Sequence, residues 1–232
     1  MENYKDYKLK GKIHAPFSPF LMEFEIPEPY VKMLNDYGDK ISKSDKKSKQ
    51  LDWSDNLVGN VKQELLITPK TFTKWAGFFE TIVSDFIKSH EEGRSLKRIR
   101  FQSGWYVRQF KGDFNPYHYH SDCHLSCVGY LKIPEGMEEE WKKEDKDHHP
   151  SAGYIEMSYG QVHLFSNNTI KVKPRVGDYY LFPWWQYHMV YPFRSEGERR
   201  SFSFNVHGDS ENDPAHIQAK KDANKERSKL IV

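Results

Sequence analysis

The chain has 232 residues, a length that suits one domain with a substantial hydrophobic core. Aromatic residues make up 15% of it, which favours a packed domain over a disordered chain. Lys and Arg total 35 against 33 Asp and Glu, so there is no clear nucleic-acid signal. No apolar stretch approaches the roughly 18 residues of a membrane span, and Cys123 and Cys127 do not form a secreted disulfide framework. We therefore expect no membrane association and a reducing compartment, the cytoplasm.

The N-terminal part of the chain predicts an extended segment followed by helices. Residues 16–26 are extended in this prediction, and a short helix runs from about Glu28 to Asp39. The charged segment Ser42–Gln50 is typical of a solvated loop. The clearest helix is Thr71–His90, where apolar residues recur at spacings of three and four and form one buried stripe. The stripe consists of Phe72, Trp75, Phe78, Phe79, Ile82, Val83, Phe86 and Ile87.

Beyond Gly93 the pattern changes to short strands separated by turns. The predicted strands are Lys97–Phe110, Leu125–Ile133, Tyr154–Met157, Val162–Phe165, Ile170–Val172, Asp178–Phe182, His188–Val190 and Arg199–His207. Helices precede the strands and do not alternate with them, which argues against a parallel doubly wound sheet. We predict a mainly β protein with a double-stranded β-helix (jelly roll, cupin-like) and N-terminal helices packed on one sheet.

The predicted organisation is a single domain over residues 1–232. Residues 1–95 supply the N-terminal extended segment and support helices, residues 96–208 supply the jelly-roll catalytic core, and residues 209–232 form a charged C-terminal tail. The segment Pro134–Pro150 is a charged insertion between two predicted strands.

Candidate metal ligands occur in two places. In an extended segment His118, His120 and Asp122 project to one side, because the side-chain period of a strand is two. His188 lies on a later predicted strand among aromatic residues. Two neighbouring ligands and a distant third are typical of a facial triad that leaves coordination positions open. The registers His118-x-His120 and His120-x-Asp122 both stay open at this point, and imidazole and carboxylate suit iron(II) and zinc alike.

An Arg-x-Ser pair follows the distal histidine. Arg199 and Ser201 share one face of a predicted strand, and a guanidinium there can bind a carboxylate through two hydrogen bonds. This pair favours a site for an acidic small molecule beside the metal.

The opposite face of the same strand carries Phe202 and Phe204. We expect both rings to pack against the stripe of the predicted Thr71–His90 helix, because they need apolar cover. Arg200 ends this apolar face, and we expect its head group, like the Glu198 carboxylate, to reach solvent.

The ordered motifs between Gly104 and Asn205 resemble the 2-oxoglutarate- and iron(II)-dependent oxygenases. They are most similar to the small prolyl-hydroxylase-like oxygenases of marine bacteria and phages. The matching positions are Trp105, Gly112-Asp113, His118-x-His120, Leu125-Ser126, Val128-x-Tyr130-Leu131, Gly177-Asp178, Phe182-Pro183, His188, Arg199-x-Ser201 and Phe204-Asn205. Each motif is weak alone, but their order is specific, and together they cover just under half of the chain.

The resemblance implies an iron(II)- and 2-oxoglutarate-dependent dioxygenase of the hydroxylase type. Such an enzyme couples the decarboxylation of 2-oxoglutarate to succinate with oxidation of a C–H bond in a prime substrate. It uses Fe(2+), 2-oxoglutarate and O2, with ascorbate as a supportive reductant. The pattern of the close relatives favours His118, His120 and His188 as ligands and keeps Asp122 as a contender. The prime substrate, a peptide or a small molecule, is not identified by the sequence.

The resemblance also assigns the co-substrate contacts. Arg199, helped by Ser201, anchors the far carboxylate, and Tyr130 and Tyr106 hydrogen-bond the co-substrate. Two alternatives remain, a cupin-type metal-dependent enzyme that does not use 2-oxoglutarate and a non-catalytic jelly-roll binding module. A site with three histidines also occurs in other cupin-like proteins, whereas the Arg-x-Ser pair counts against the first alternative.

Overall fold

The computed structural model describes residues 11–14, 20–89, 96–142, 151–164 and 167–210, together with Gln218. The strands, numbered in chain order, are β1 (Gly11–His14), β2 (Leu21–Glu25), β3 (Gln63–Leu66), β4 (Leu96–Gln109), β5 (Asn115–His118), β6 (Leu125–Lys132), β7 (Ile155–Ser158), β8 (Thr169–Val172), β9 (Asp178–Pro183), β10 (Tyr187–Val190) and β11 (Arg199–Ser210). The helices are α1 (Glu28–Ser42), α2 (Asp45–Gln50), α3 (Pro69–Phe72), α4 (Ala76–Ser89) and α5 (Met137–Lys142). No described helix is long and apolar enough to cross a membrane.

Strands β4 to β11 form a double-stranded β-helix. β4, β11, β6 and β9 lie side by side in one sheet, and β5, β10, β7 and β8 form the facing sheet. Apart from the β7–β8 hairpin, successive strands alternate between the two sheets, and neighbouring strands are antiparallel. β1 and β2 extend the larger sheet beyond β9, and β3 extends it beyond β4. The predicted fold class is confirmed, and the N-terminal segment supplies strands to the jelly roll as well as helices.

The outer face of the larger sheet is covered by the N-terminal helices, as predicted. The Phe79 ring lies 5.5 Å from that of Phe202 and 5.0 Å from that of Phe204, both in edge-on contact. Phe72 contacts Phe204 at 5.2 Å. Such aromatic pairs add roughly 0.5–1.5 kcal/mol each beyond the area that they bury. The strand alternation predicted from Phe202 and Phe204 is therefore confirmed.

Two predictions about the helical region are wrong in detail. The predicted Thr71–His90 helix is divided into α3 and α4 by turns at 73–75, and His90 lies outside the described residues. The predicted loop Ser42–Gln50 contains α2, because the Ser44 hydroxyl accepts a hydrogen bond from the Lys47 amide at 3.4 Å and caps the helix. Local capping therefore outweighs the charge density that suggested a loop.

The strand predictions also need correction. Residues 162–164 are irregular, with Val162 and Leu164 highly exposed, and Phe165 lies outside the described residues. Strands β3 and β5, each four residues long, were not predicted. The charged insertion contains α5, while 143–150 lie outside the described residues. Of the predicted tail, β11 takes residues 209 and 210.

Arg200 and Glu198 are buried, so the prediction that both reach solvent is wrong. Arg200 is only 2% exposed and donates to both oxygens of Glu198, at 2.9 and 3.1 Å. It also donates to Asp39 of α1 at 2.7 Å. The physical reason is a close approach of α1, where a Cβ at Gly38 would lie only 3.2 Å from Nη1 of Arg200. The helix supplies the polar partners that solvent was expected to supply.

Candidate active site

A cavity of about 360 Å³ lies between the two sheets of the jelly roll. This volume falls within the roughly 300–1,000 Å³ that is usual for small-molecule sites. Alternate residues of β4 and β11 line one wall together with residues of β6 and β9, and β5 and β10 line the other. The segment that precedes β3 adds Trp53, Leu57 and Val58. Val58 and Tyr119 are each about half exposed and so lie where the cavity meets solvent.

Three histidines converge in this cavity. His118 ends β5 and His188 lies on β10, where the two residues are direct cross-strand partners. His120 follows β5, and its backbone amide donates to the Trp184 carbonyl at 3.0 Å. One ring nitrogen from each of the three lies within 4.8 Å of the others. The Nε2 atoms of His120 and His188 are 3.3 Å apart.

The other ring nitrogen of each histidine is held by an oxygen. Nδ1 of His118 donates to the Pro116 carbonyl at 2.6 Å, and Nδ1 of His188 donates to the Gln186 carbonyl at 2.8 Å. A carbonyl oxygen can only accept, so these Nδ1 atoms carry the proton and each Nε2 has a lone pair.

His120 is oriented in the same way. Its Nδ1 lies 3.1 Å from the amide oxygen of Asn205 and 3.3 Å from the Ser126 hydroxyl. A hydrogen bond from the remote ring nitrogen to an oxygen is the usual way in which proteins orient a metal-binding histidine. The sequence already places Asn205 on the strand face of Arg199 and Ser201.

Burial keeps the three imidazoles neutral. It is the main cause that lowers the pKa of His118, and it lowers the pKa of His120 to about 4, with His118 contributing. Burial likewise holds the pKa of His188 well below its usual range. Near neutral pH all three rings are therefore uncharged, with one protonated nitrogen and one nitrogen that has a free lone pair, which is the form that binds a metal ion.

Asp122 lies outside this cluster. β5 ends at His118, and Asp122 is exposed and adopts a left-handed backbone conformation with φ of 56°. The strand alternation that would have placed the side chains of Asp122 and His120 on one side therefore ends before Asp122. The described residues bring together His118, His120 and His188 without a carboxylate.

Arg199 lies in the same cavity and is 1% exposed. Its Nη1 donates to the side-chain oxygen of Gln109, and the side-chain nitrogen of Gln109 donates to Oδ1 of Asn115 at 2.9 Å. Nε and Nη2 have no hydrogen-bond partner among the described residues. Burial lowers the pKa of Arg199, but a guanidinium stays charged in proteins. The cavity thus contains a buried cation with two free donors.

The other predicted co-substrate contacts divide between the two faces of the sheet. Ser201 lines the cavity, and Tyr130, its partner on β6, is fully buried on the inner face beneath the Arg199 guanidinium. The Tyr130 hydroxyl has no hydrogen-bond partner within the described part of the chain. Tyr106 lies on the outer face, where its hydroxyl donates to the Leu34 carbonyl at 2.8 Å. That position is away from the cavity and does not fit the expected contact.

The sequence reasoning missed Gln109, which contacts Arg199, and Glu64, which lines the cavity. Gln109, which holds Arg199, has the strand parity of the cavity residues Trp105 and Val107, and this parity was the available signal. Glu64 lies on β3, and the strand was missed with it.

Comparison with known proteins identifies the segment that carries this site. Residues 103–205 match the model of the family described as "Putative 2OG-Fe(II) oxygenase". The match contains all three histidines, Arg199 and Tyr130. A sequence comparison with curated proteins found no match.

Solved structures share the fold at low sequence identity. The viral collagen prolyl hydroxylase of Paramecium bursaria Chlorella virus-1, in its 2OG complex, is 15% identical with a TM-score of 0.52; the match covers 80% of this chain and 94% of that chain. A prolyl-4-hydroxylase of Pseudomonas putida is 15% identical with a TM-score of 0.50, over 86% of this chain and 94% of that chain.

Proposed function

We propose that this chain is a 2-oxoglutarate- and iron(II)-dependent oxygenase in which His118, His120 and His188 hold the iron while Arg199 anchors 2-oxoglutarate. The enzyme couples conversion of 2-oxoglutarate to succinate with oxidation of a C–H bond in a prime substrate, and it uses Fe(2+) and O2. The observation that carries the residue assignment is the pairing, in one cavity, of a three-nitrogen cluster with a buried guanidinium that has two free donors.

The donor set fits a divalent metal. The hydrogen bonds to Gln186 and Asn205 leave the Nε2 lone pairs of His188 and His120 facing each other at 3.3 Å. Two lone pairs at this distance repel each other unless a cation lies between them. Two nitrogens that bind one metal at about 2.1 Å and at right angles are about 3.0 Å apart, close to the spacing seen.

The free donors of Arg199 fit the far carboxylate of 2-oxoglutarate. A buried guanidinium whose Nε and Nη2 lack partners carries a large desolvation cost, and a carboxylate can accept from both. The Tyr130 hydroxyl, also unpartnered among the described residues, can donate to the same carboxylate. Ser201 shares this wall and is proposed to assist, whereas Tyr106 is left out of the assignment.

The bound metal and co-substrate would supply the oxidising chemistry, and the chain's own residues hold and shield the reactants. The three imidazoles stay neutral and oriented through their Nδ1 hydrogen bonds. Gln109 holds Nη1 of Arg199, so the guanidinium is fixed before the ligand arrives. Val128, Phe182 and Val190 give the cavity apolar walls that exclude water, which strengthens the charge interactions inside it.

We propose that the prime substrate is a peptide or a small molecule that enters the cavity past Tyr119. Exposed aromatic rings border this entrance: Tyr119 lies 5.0 Å from Tyr187, which stacks on Tyr117 at 5.0 Å. Contiguous exposed rings are typical of binding surfaces.

A reducing compartment such as the cytoplasm is proposed as well, supported by two cysteines that are free and buried thiols.

The proposed function is tested by 2-oxoglutarate consumption. Protein reconstituted with Fe(2+) and ascorbate should slowly form succinate without a prime substrate, and N-oxalylglycine should inhibit it. Calorimetry should detect 2-oxoglutarate binding to the metal-loaded protein and a large loss in the Arg199→Ala variant. If the iron-loaded protein neither binds 2-oxoglutarate nor forms succinate, the proposal is wrong.

A further inference from the structure

Glu64 is a buried carboxylic acid in the active-site cavity that the proposed mechanism does not use. It lies on β3, is 1% exposed and lines the cavity that holds the three histidines. Its Oε2 has no hydrogen-bond partner among the described residues. Buried carboxylates are normally paired or fully hydrogen-bonded, so an unpartnered one in a ligand cavity is unusual.

The carboxyl group is held in position from one side. A Cβ at Gly59 would lie 2.7 Å from Oε1 of Glu64 and 2.8 Å from the side-chain nitrogen of Asn115. Gly59 therefore lies directly against the ends of both side chains. The backbone amide of Trp53 donates to the Glu64 carbonyl at 2.8 Å, which ties the cavity-lining Trp53 to the same strand.

Glu64 is not accounted for by the metal or by Arg199. It is not a member of the metal-binding group formed by the described residues, which contains histidines alone. Arg199 donates from Nη1 to Gln109. The neighbouring group whose pKa its charge lowers is Tyr130. The charge that acts on Glu64 is that of Asp52, a second carboxylate. Burial raises the pKa of Glu64 to about 7, and Asp52 adds to the shift.

We propose that Glu64 receives a cationic nitrogen of the prime substrate, an ammonium or a guanidinium group, and so selects substrates that carry a basic side chain or amine. This inference rests on the proposed function, since it concerns the second substrate of the same cavity. A cation would pair with the free Oε2 and offset the repulsion from Asp52. Trp53 lines the cavity beside β3, and indole is the ring that cations contact most favourably.

The test compares two cationic probes with a neutral one. Nα-acetyl-lysine amide, Nα-acetyl-arginine amide and the neutral Nα-acetyl-norleucine amide are titrated anaerobically into the full chain loaded with Fe(2+) and 2-oxoglutarate, with calorimetric detection. Wild type should bind at least one cationic probe on the order of tenfold more tightly than the neutral one, because a buried carboxylate pairs with it. In Glu64→Gln, which keeps the shape and removes the charge, this preference should disappear.

Two further variants keep the outcome decisive. Asp55→Asn removes an exposed charge from the neighbouring segment and should keep the preference, while Glu64→Asp should keep it in part. The inference is overturned if wild type binds charged and neutral probes equally, or if neither cationic probe binds. It is also overturned if the preference survives in folded Glu64→Gln. The same wild-type sample is also titrated with 2-oxoglutarate. If only the inference about Glu64 is wrong, 2-oxoglutarate still binds; if the proposed function is wrong, it does not.

Discussion

The guanidinium carbon of Arg199, a residue that lines the active-site cavity, lies 4.9 Å from the centre of the Tyr130 ring, and both side chains are fully buried. Each has polar atoms without a partner in the described part of the chain. Burial raises the pKa of Tyr130 to about 12, although the charge of Arg199 acts in the opposite direction. The phenol is therefore neutral at physiological pH and can donate its proton to a bound carboxylate beside the guanidinium. This pair underlies the first two predictions.

Arg199→Ala should weaken 2-oxoglutarate binding by a factor of tens to thousands. Removal of a buried guanidinium partner from a carboxylate costs about 2–5 kcal/mol. Iron affinity should change little, because Arg199 is not among the clustered metal ligands. The measurement is an anaerobic titration followed by the metal-to-ligand charge-transfer absorption. Arg194→Ala is the control, since Arg194 is exposed, and an equal loss in both variants would contradict the assignment.

Tyr130→Phe should have opposite effects on stability and on ligand binding. The hydroxyl is buried and unpartnered among the described residues, so its loss should leave the ligand-free protein equally stable or slightly more stable. Affinity for 2-oxoglutarate should fall by about 2- to 10-fold, as expected for one hydrogen bond of roughly 0.5–1.5 kcal/mol. Thermal unfolding with and without 2-oxoglutarate measures both. A destabilised ligand-free variant with unchanged affinity would indicate a packing role alone.

His120→Ala and His188→Ala should each abolish iron binding, whereas Asp122→Ala should retain it. The first two remove nitrogens that lie 3.3 Å apart in the cavity, and Asp122 is exposed and outside the cluster. Iron content after reconstitution and dialysis measures the effect. His118→Ala should behave like the other histidine variants. If Asp122→Ala loses iron while His118→Ala keeps it, the carboxylate register is the correct one.

Glu198 should contribute to stability near neutral pH and lose that contribution in acid. Burial raises its pKa, but hydrogen bonds from Arg108 and Arg200 outweigh burial and hold the pKa below its ordinary value of 4.5. A depressed folded-state pKa means that the stabilisation is complete above about pH 4.5 and is lost as the pH falls through the lower folded value. Urea unfolding of wild type and Glu198→Gln should therefore differ most near pH 7 and converge in acid.

The same network predicts a large effect of Arg200→Ala on folding. The substitution leaves Glu198 buried without one of its partners, and breaking a buried pair costs about 3–5 kcal/mol. The control is Lys111→Ala, which removes an exposed pair with Glu196 and should cost at most about 1 kcal/mol. Similar unfolding midpoints for the two variants would contradict the role given to the buried network. Arg200→Ala is for this reason unsuitable as a control for Arg199.

Local periodicity was sufficient to predict one wall of the site. In β11, period-two alternation separates Arg199 and Ser201 from Phe202 and Phe204, and the structure has the first pair in the cavity and the second against the helices. The stripe of α4 predicted the apolar cover for those rings. These features depend on the side-chain period of a strand or a helix, which a short segment determines by itself.

Contacts between distant segments decided the rest. The end of β5 determines whether the Asp122 side chain can lie on the same side as His120. That end depends on pairing with β10, not on the sequence around the histidines. The burial of Arg200 required α1, more than 160 positions away, to bring Asp39 against it. Glu64 entered the cavity because β3 pairs with β4. Alternation along one strand is a property of its own backbone, whereas which face is covered, and by which polar groups, depends on segments that meet only when the chain folds.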